Sequence, residues 1–152
     1  YNGAKGVVII MDNSITAMTG GQQNPGTGVT LQGKFTKKLS LENICTAAGA
    51  DSVDVIDPYD IDGFRKLLKT RLEGGGLSVI ITRYPCKMID RSRDGAMRID
   101  GKKCKKCRQC LALDCPAIKE EDGSIAISEF LCVGCGLCKK ICKFGAISQE
   151  GK

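Results

Sequence analysis

Eight cysteines fall in two runs near the end of the sequence, Cys104-x2-Cys107-x2-Cys110-x4-Cys115-Pro116 and Cys132-x2-Cys135-x2-Cys138-x3-Cys142. The runs form an internal repeat, and each leads into an Ala-Ile pair, Ala117-Ile118 and Ala146-Ile147. Three cysteines at two-residue spacing fit around one corner of a cubane iron–sulfur cluster. A turn-like backbone offers each thiolate to a different iron, and the fourth iron needs a ligand from elsewhere. Competing chemistries explain less. A disulfide framework belongs to an oxidising compartment, and no charged-then-apolar signal segment points to one. Structural zinc takes four ligands, usually as two separated pairs, which leaves the triple spacing unexplained.

Roughly the last third of the chain resembles bacterial-type two-cluster ferredoxins. The resemblance implies that the remote cysteine of each run ligates the other cluster. Cys104, Cys107, Cys110 and Cys142 then hold one [4Fe–4S] cluster, and Cys132, Cys135, Cys138 and Cys115 the second. Two departures stand out. Four residues rather than three precede Cys115, so "LALD" must bulge locally. Lys143 stands where such ferredoxins usually place proline, and a cation there should stabilise the reduced, more negative cluster. Of the remaining cysteines, Cys45 reads as core packing on a helix face, and Cys86, after Pro85 at a strand end, has no assigned role.

The elements that precede the cysteine runs alternate. "GVVIIM" is a continuous aliphatic run, typical of a strand buried on both faces. "SLENICTAAG" predicts a short helix with Ser40 as N-cap and Gly49 just past its end. "SVDVID" predicts a strand closed by Pro58, and "YDIDGFRKLLKTRLEGGG" a helix with Ile61, Phe64, Leu68 and Leu72 on one face. "LSVIITRY" is a third strand. Buried strands alternating with helices imply parallel crossover units, whose ligands bind at the carboxyl ends of strands. The second region carries only short strands, around "MRID", "AIKEE", "SIAIS" and "AISQE", with Asp122-Gly123 as a hairpin turn. The expected fold is therefore α/β: a partial parallel-sheet domain over residues 1–96, with "CKMIDRSRDGAMRID" as linker, then a small α+β two-cluster ferredoxin-like domain over residues 97–152.

Composition narrows the function classes. The 152 residues are 42% hydrophobic, as a globular chain requires, and carry a net charge of +6 with only 5% aromatics. Much of the Lys surrounds cysteines ("GKKCKKCRQC", "CKKICK"), where it offsets the negative charge of thiolate-bound clusters, so nucleic acid is not the expected partner. No run approaches the roughly 18–20 apolar residues of a membrane span. A cytoplasmic protein is expected, and clusters that degrade in oxygen point to an anaerobic setting. Tyr1 in place of Met, just ahead of "NGAKG", points to a chain whose N-terminal part is missing.

At the carboxyl end of the first strand the aliphatic run stops at Asp12 and gives way to "DNSITAMTGGQQNPGTG", long, small and nearly uncharged. Taken alone, such a Gly-rich loop could cradle a phosphate or simply connect, and Asn13 could cap a turn. No G-x-G-x-x-G or Walker pattern occurs. The stretch resembles the thiamine-diphosphate segment of 2-oxoacid:ferredoxin oxidoreductases, where "TGGQ" recurs. The form "DNxxTAMTGxQ…PGTG", with "LSVIITRYPC", a linker and a two-cluster module behind it, is similar to the large subunits of the indolepyruvate type over essentially the whole chain.

The resemblance implies that the Asn13 side chain and the Ile15 carbonyl hold Mg²⁺ on the diphosphate, with a further carboxylate from an upstream "GD" motif. It implies that Thr16, Ala17, Met18 and Thr19 run along thiamine diphosphate, with Met18 towards the reacting end, and that Gly20 and Gly21 permit close backbone approach. The implied reaction is oxidative decarboxylation of an aryl-2-oxoacid, with coenzyme A taking the acyl group and electrons passing singly through two clusters to an external ferredoxin. A smaller β subunit is the implied partner. No catalytic side chain is assigned, and the chain has no histidine to act as acid or base. Two alternatives stay open: an electron-transfer protein whose α/β part is a docking domain, and a related enzyme acting on pyruvate or 2-oxoglutarate.

Overall fold

Strand β3 (Leu77–Arg83) is the centre of the first sheet, with β1 (Gly6–Asp12) and β2 (Ser52–Ile56) parallel to it on either side, in the order β1-β3-β2. Helix α1 (Leu41–Ala47) connects β1 to β2, and α2 (Ile61–Gly74) connects β2 to β3. These are the parallel crossovers expected from the alternating segments. The computed structural model describes residues 2–87, 89 and 95–149, and its chain divides into two units, Tyr1–Ile89 and Asp90–Lys152. Part of the expected linker lies outside the described residues.

Alternation along β3 sends Val79 and Ile81 to one face and Ile80 to the other, and all three are buried. Val79 and Ile81 pack with Cys45 of α1, with Ile10, Leu41 and Val53 around them, so Cys45 is a packing residue. Asp54 of β2 is in register with Ile80, and Arg71 of α2 grips Asp54 through two hydrogen bonds of 2.7 and 2.8 Å. That fork places α2 over the Ile80 face. Ser40 caps α1 by accepting the Asn43 N–H, and Asp60 caps α2 by accepting that of Gly63.

Two expectations are corrected. β1 is not buried on both faces: Val8 and Ile9 are about half exposed and Met11 is 85% exposed, because among the described residues β1 is an edge strand and only β3 of this sheet has neighbours on both sides. Leu72 is 63% exposed, outside the inner face of α2. At 3.6 residues per turn it lies about 80° round from Phe64, whereas Arg71 lies within about 20° and takes the inward place.

In the second unit β4 (Met97–Ile99) pairs antiparallel with β7 (Ile147–Gln149), and β5 (Ile118–Glu121) with β6 (Ser124–Ile127). Asp122 and Gly123, with φ of 48° and 68°, make the hairpin turn between β5 and β6, where both central residues must be left-handed. Helix α3 (Leu137–Ile141) and a 3₁₀ turn (Leu111–Leu113) complete the unit. The extra residue before Cys115 is absorbed by that 3₁₀ turn, which ends on Asp114 at φ 48°. Met97, Ile118, Ile125, Cys138 and Ile147 form one core, and Ala117 and Ala146 are buried as well. The repeated Ala-Ile pair thus gives each half's share of the interior. Among the described residues no helix is long and apolar enough to cross a membrane.

Candidate functional site

Two spaces in the second unit are walled by sulfur. One is lined by Cys104, Cys107, Cys110 and Cys142, with Ile99, Ile125 and Ile147. The other, about 320 Å³, is lined by Cys115, Cys132, Cys135 and Cys138, with Met97, Leu113 and Ile127. Each set of three close-spaced cysteines is therefore joined by the last cysteine of the other run. The short helical turns make the exchange. The 3₁₀ turn, with Cys110 as its N-cap, separates Cys110 from Cys115, and α3 separates Cys138 from Cys142 at its C-cap.

The sulfur atoms oppose one another's ionisation. Burial, with the nearby Cys135 and Cys132, pushes the Cys138 thiol up to about 11. Burial also raises Cys110, and Cys104, Cys107 and Cys142 add to the effect. Such crowded sulfur ionises when a metal replaces the protons. Among the described residues no three His, Cys, Asp or Glu side chains lie close enough together to hold a single metal ion. Met97 N–H donates to Cys132 Sγ at 3.3 Å and Ala146 N–H to Cys142 Sγ at 3.4 Å. Sulfur-only donors and amide hydrogen bonds to sulfur fit an iron–sulfur cluster at each quartet; the second space has the larger room, and Lys105, Arg108 and Gln109 join the wall of the first, which encloses about 20 Å³.

The two runs share a backbone. Lys106 and Arg108 have φ of 52° and 61°, and their counterparts in the repeat, Gly134 and Gly136, have 68° and 75°. Glycine adopts this conformation freely, whereas a side chain there costs roughly 1–2 kcal/mol.

At the carboxyl end of β1 the chain folds back on itself. Asp12 Oδ1 accepts the Ser14 N–H at 3.0 Å, Asn13 Oδ1 accepts the Ile15 N–H at 3.3 Å, and Ser14 sits at φ 60°. Arg83, at the end of β3, donates through Nε to Asp12 Oδ2 and through Nη1 to Glu42 Oε1, both at 2.7 Å. Burial works against the charged form of Asp12, yet the Arg83 guanidinium and the Ser14 amide hold its carboxyl below the ordinary value. The Arg83 hydrogen bond lowers Glu42 to about 2. The chain beyond β3 continues the contact, since Tyr84 N–H donates to Asp12 O at 3.1 Å and Cys86 N–H to Asn13 O at 3.0 Å. Cys86 thus lies beside the Asn13 turn.

A cavity of about 370 Å³ opens here, lined by Asp12, Asn13, Ile15, Asn24, Pro25 and Gly26 among others. Thr16 and Gln22 close a loop by exchanging N–H···O bonds of 3.1 and 3.2 Å. Of the residues singled out in the sequence, Asn13 and Ile15 line the cavity. Thr16, Ala17, Met18, Thr19 and Gly20 lie in the loop beside it, with Met18 99% exposed. Asn24 Nδ2 ties that loop to the cavity rim by donating to Thr16 Oγ1 at 3.1 Å. The Asn13 amide oxygen keeps a second lone pair, and the Asp12 carboxylate is committed to Arg83. This oxygen set suits a hard cation shared with a phosphate group.

A family model described as "Thiamine pyrophosphate enzyme, C-terminal TPP binding domain" matches residues 1–82, more than half of the chain. The chain belongs to this family. The loop from Asp12 to Gly28 falls inside the matched thiamine pyrophosphate enzyme region. A second family model, described as "4Fe-4S binding domain", matches residues 125–148 and takes in the whole second cysteine run.

Relatives extend the similarity to the full length. The indolepyruvate oxidoreductase subunit IorA of Methanothermobacter marburgensis is 40% identical over 154 residues, covering 100% of this chain and 25% of the relative. IorA of Pyrococcus horikoshii is 39% identical over 162 residues, covering 98% of this chain and 24% of the relative. Hydrogenase-4 component A of Escherichia coli is 45% identical over 51 residues, covering 32% of this chain and 25% of that protein. The chain spans about a quarter of the length of the IorA relatives it matches.

Sequence reasoning missed Arg83. Its role follows from strand order, which makes Asp12 and Arg83 register partners at the ends of neighbouring parallel strands. It missed equally the Lys106–Gly134 and Arg108–Gly136 correspondence, which follows from superimposing the two runs.

Proposed function

We propose that this chain is the part of a thiamine-diphosphate-dependent 2-oxoacid:ferredoxin oxidoreductase that grips the metal–diphosphate end of the cofactor and carries two [4Fe–4S] clusters. One combination supports the reading: a thiamine pyrophosphate enzyme domain is followed, in the same chain, by two exchanged cysteine quartets. Residues 1–96 form the cofactor domain with its linker, and residues 97–152 the cluster domain. Asn13 Oδ1 and the Ile15 carbonyl hold Mg²⁺. The loop Thr16, Ala17, Met18, Thr19 and Gly20 lies against thiamine diphosphate and keeps water from it. Cys104, Cys107, Cys110 and Cys142 hold the first cluster, and Cys115, Cys132, Cys135 and Cys138 the second.

When bound, thiamine diphosphate supplies the electron sink for decarboxylation. The protein's share is orientation, exclusion of water and one-electron acceptors. The names of the IorA relatives favour indolepyruvate as the 2-oxoacid. Coenzyme A takes the acyl group, a smaller β subunit completes the enzyme, and an external ferredoxin receives the electrons in an anaerobic cytoplasm.

The test uses the full-length protein with its partner subunit, purified anaerobically. About eight irons and eight sulfides are expected, four of each per cubane. Thiamine diphosphate should bind only with Mg²⁺ present, and indolepyruvate should outpace pyruvate and 2-oxoglutarate. Zinc or cystine in place of iron, or no thiamine diphosphate binding, refutes the reading.

A further inference from the structure

The two cysteine runs superimpose in sequence and in backbone, yet their rims differ in charge. Within the close-spaced triplet of the second run the residues between cysteines are Val133, Gly134, Gly136 and Leu137, with Lys139 and Lys140 following Cys138. Around the first they are Lys105, Lys106, Arg108 and Gln109, preceded by Lys102 and Lys103. Lys102, Lys103, Lys105, Lys106 and Arg108 are all exposed, and so is Cys107. Lys105 and Arg108 line the first sulfur-walled space itself. Arg108 pairs with Glu120 at 2.6 Å and Lys103 lies 3.8 Å from Asp100, so the patch is partly offset at its borders. Lys102, Lys105 and Lys106 remain its positive centre.

Charge compensation for a bound cluster does not account for cations at these positions, because the second run carries Lys139 and Lys140 beyond its triplet and keeps the spacers between its three close cysteines uncharged. Backbone preference opposes it as well. Lys106 sits at φ 52°, where the other half of the repeat uses glycine. An outlier kept against local preference, beside an exposed ligand-type sulfur, points to a use for the cation.

We infer that the rim formed by Lys102, Lys105 and Lys106 is the docking surface for a soluble, acidic one-electron carrier protein, and that electrons leave the protein at the first quartet. This rests on the cluster assignment above. Transient redox encounters bury little area and rely on complementary charge for speed, which a cationic rim around an exposed sulfur supplies. The step is a single electron transfer. The reduced cluster at Cys104, Cys107, Cys110 and Cys142 is oxidised, the oxidised cluster of the carrier is reduced, and no bond or proton changes place.

The experiment uses the anaerobic holoenzyme, reduced beforehand, with stopped-flow transfer to an acidic two-cluster ferredoxin or to methyl viologen, a cationic dye that the rim does not attract. The triple variant Lys102→Glu, Lys105→Glu, Lys106→Glu should slow transfer to ferredoxin tenfold or more at low ionic strength and weaken or reverse its dependence on ionic strength, with viologen reduction undiminished. Lys106→Gly, which relieves the backbone, should keep full iron content and an unchanged or higher Tm, yet slow ferredoxin transfer measurably. Unchanged ferredoxin rates in cluster-loaded variants overturn the docking surface alone, as does equal slowing with both acceptors. Absence of clusters in the unmodified protein overturns the cluster assignment and this inference together.

Discussion

Arg83 and Asp12 face each other at the carboxyl ends of neighbouring parallel strands, joined by an Nε–Oδ2 hydrogen bond of 2.7 Å. The other side of the same guanidinium reaches Glu42 near the start of α1. One side chain therefore ties two strand ends and a helix to the turn that presents Asn13. Arg83→Met should destabilise the chain by about 1–3 kcal/mol, nearer the lower figure because these groups are partly exposed and screened. Glu42 and Asp12 stay ionised in the folded chain to lower pH than in the unfolded one. Their contribution is therefore complete above the unfolded carboxylate range and is lost as pH falls, for Glu42 from about 4.5 towards about 2. Thermal melts across that range should show a steep acid limb, and Arg83→Met should flatten it.

Exchange of the terminal cysteines makes a crossed prediction. Cys142→Ser should alter the cluster held with Cys104, Cys107 and Cys110, and Cys115→Ser the cluster held with Cys132, Cys135 and Cys138. Electron paramagnetic resonance of the reduced single variants, each compared with a variant in the matching close-spaced triplet, reads the pairing. Perturbation of the cluster in the same run would overturn it.

Lys143 follows directly on a cysteine of the first quartet. Cys142 already holds φ −73° and ψ 100°, the extended conformation that a following proline demands. Lys143→Pro should therefore fold normally. Loss of the cation should lower the potential of the first cluster and leave the second nearly unchanged, as read by redox titration.

Asn13→Ala removes the amide oxygen at the cavity mouth and the Ile15 hydrogen bond together. Mg²⁺-dependent thiamine diphosphate affinity should fall on the order of tenfold or more, while iron and sulfide content stay unchanged. Calorimetry on the full-length protein checks both arms, and equal loss of iron would signal general misfolding.

Much of this architecture was legible because it depends on local rules. The glycine-ended helices, the Ser40 cap and the Asp122-Gly123 turn answer to backbone preference, and the cysteine spacing to cluster geometry. The exposure of β1 was not legible, since an aliphatic run states what a strand can bury and says nothing of how many neighbours it has. Leu72 was misplaced because Arg71 could not be seen as a core-facing residue until Asp54 was found beneath it. In the candidate site, the Asn13 turn could be read from the chain alone, whereas the Arg83 fork needed strand order, a property of the whole sheet. The cationic rim escaped notice for another reason: its lysines had a sufficient explanation in cluster charge until the uncharged spacers of the second triplet stood beside them.

β1 leaves one more consequence. Val8 and Met11 stand along a border whose amide and carbonyl groups have no partner strand on the outer side among the described residues. Such a border is adhesive, and the 152-residue piece handled alone should stack edge to edge, scattering light as its concentration rises. A lysine in place of Val8 would put like charges along the seam and keep the molecules apart.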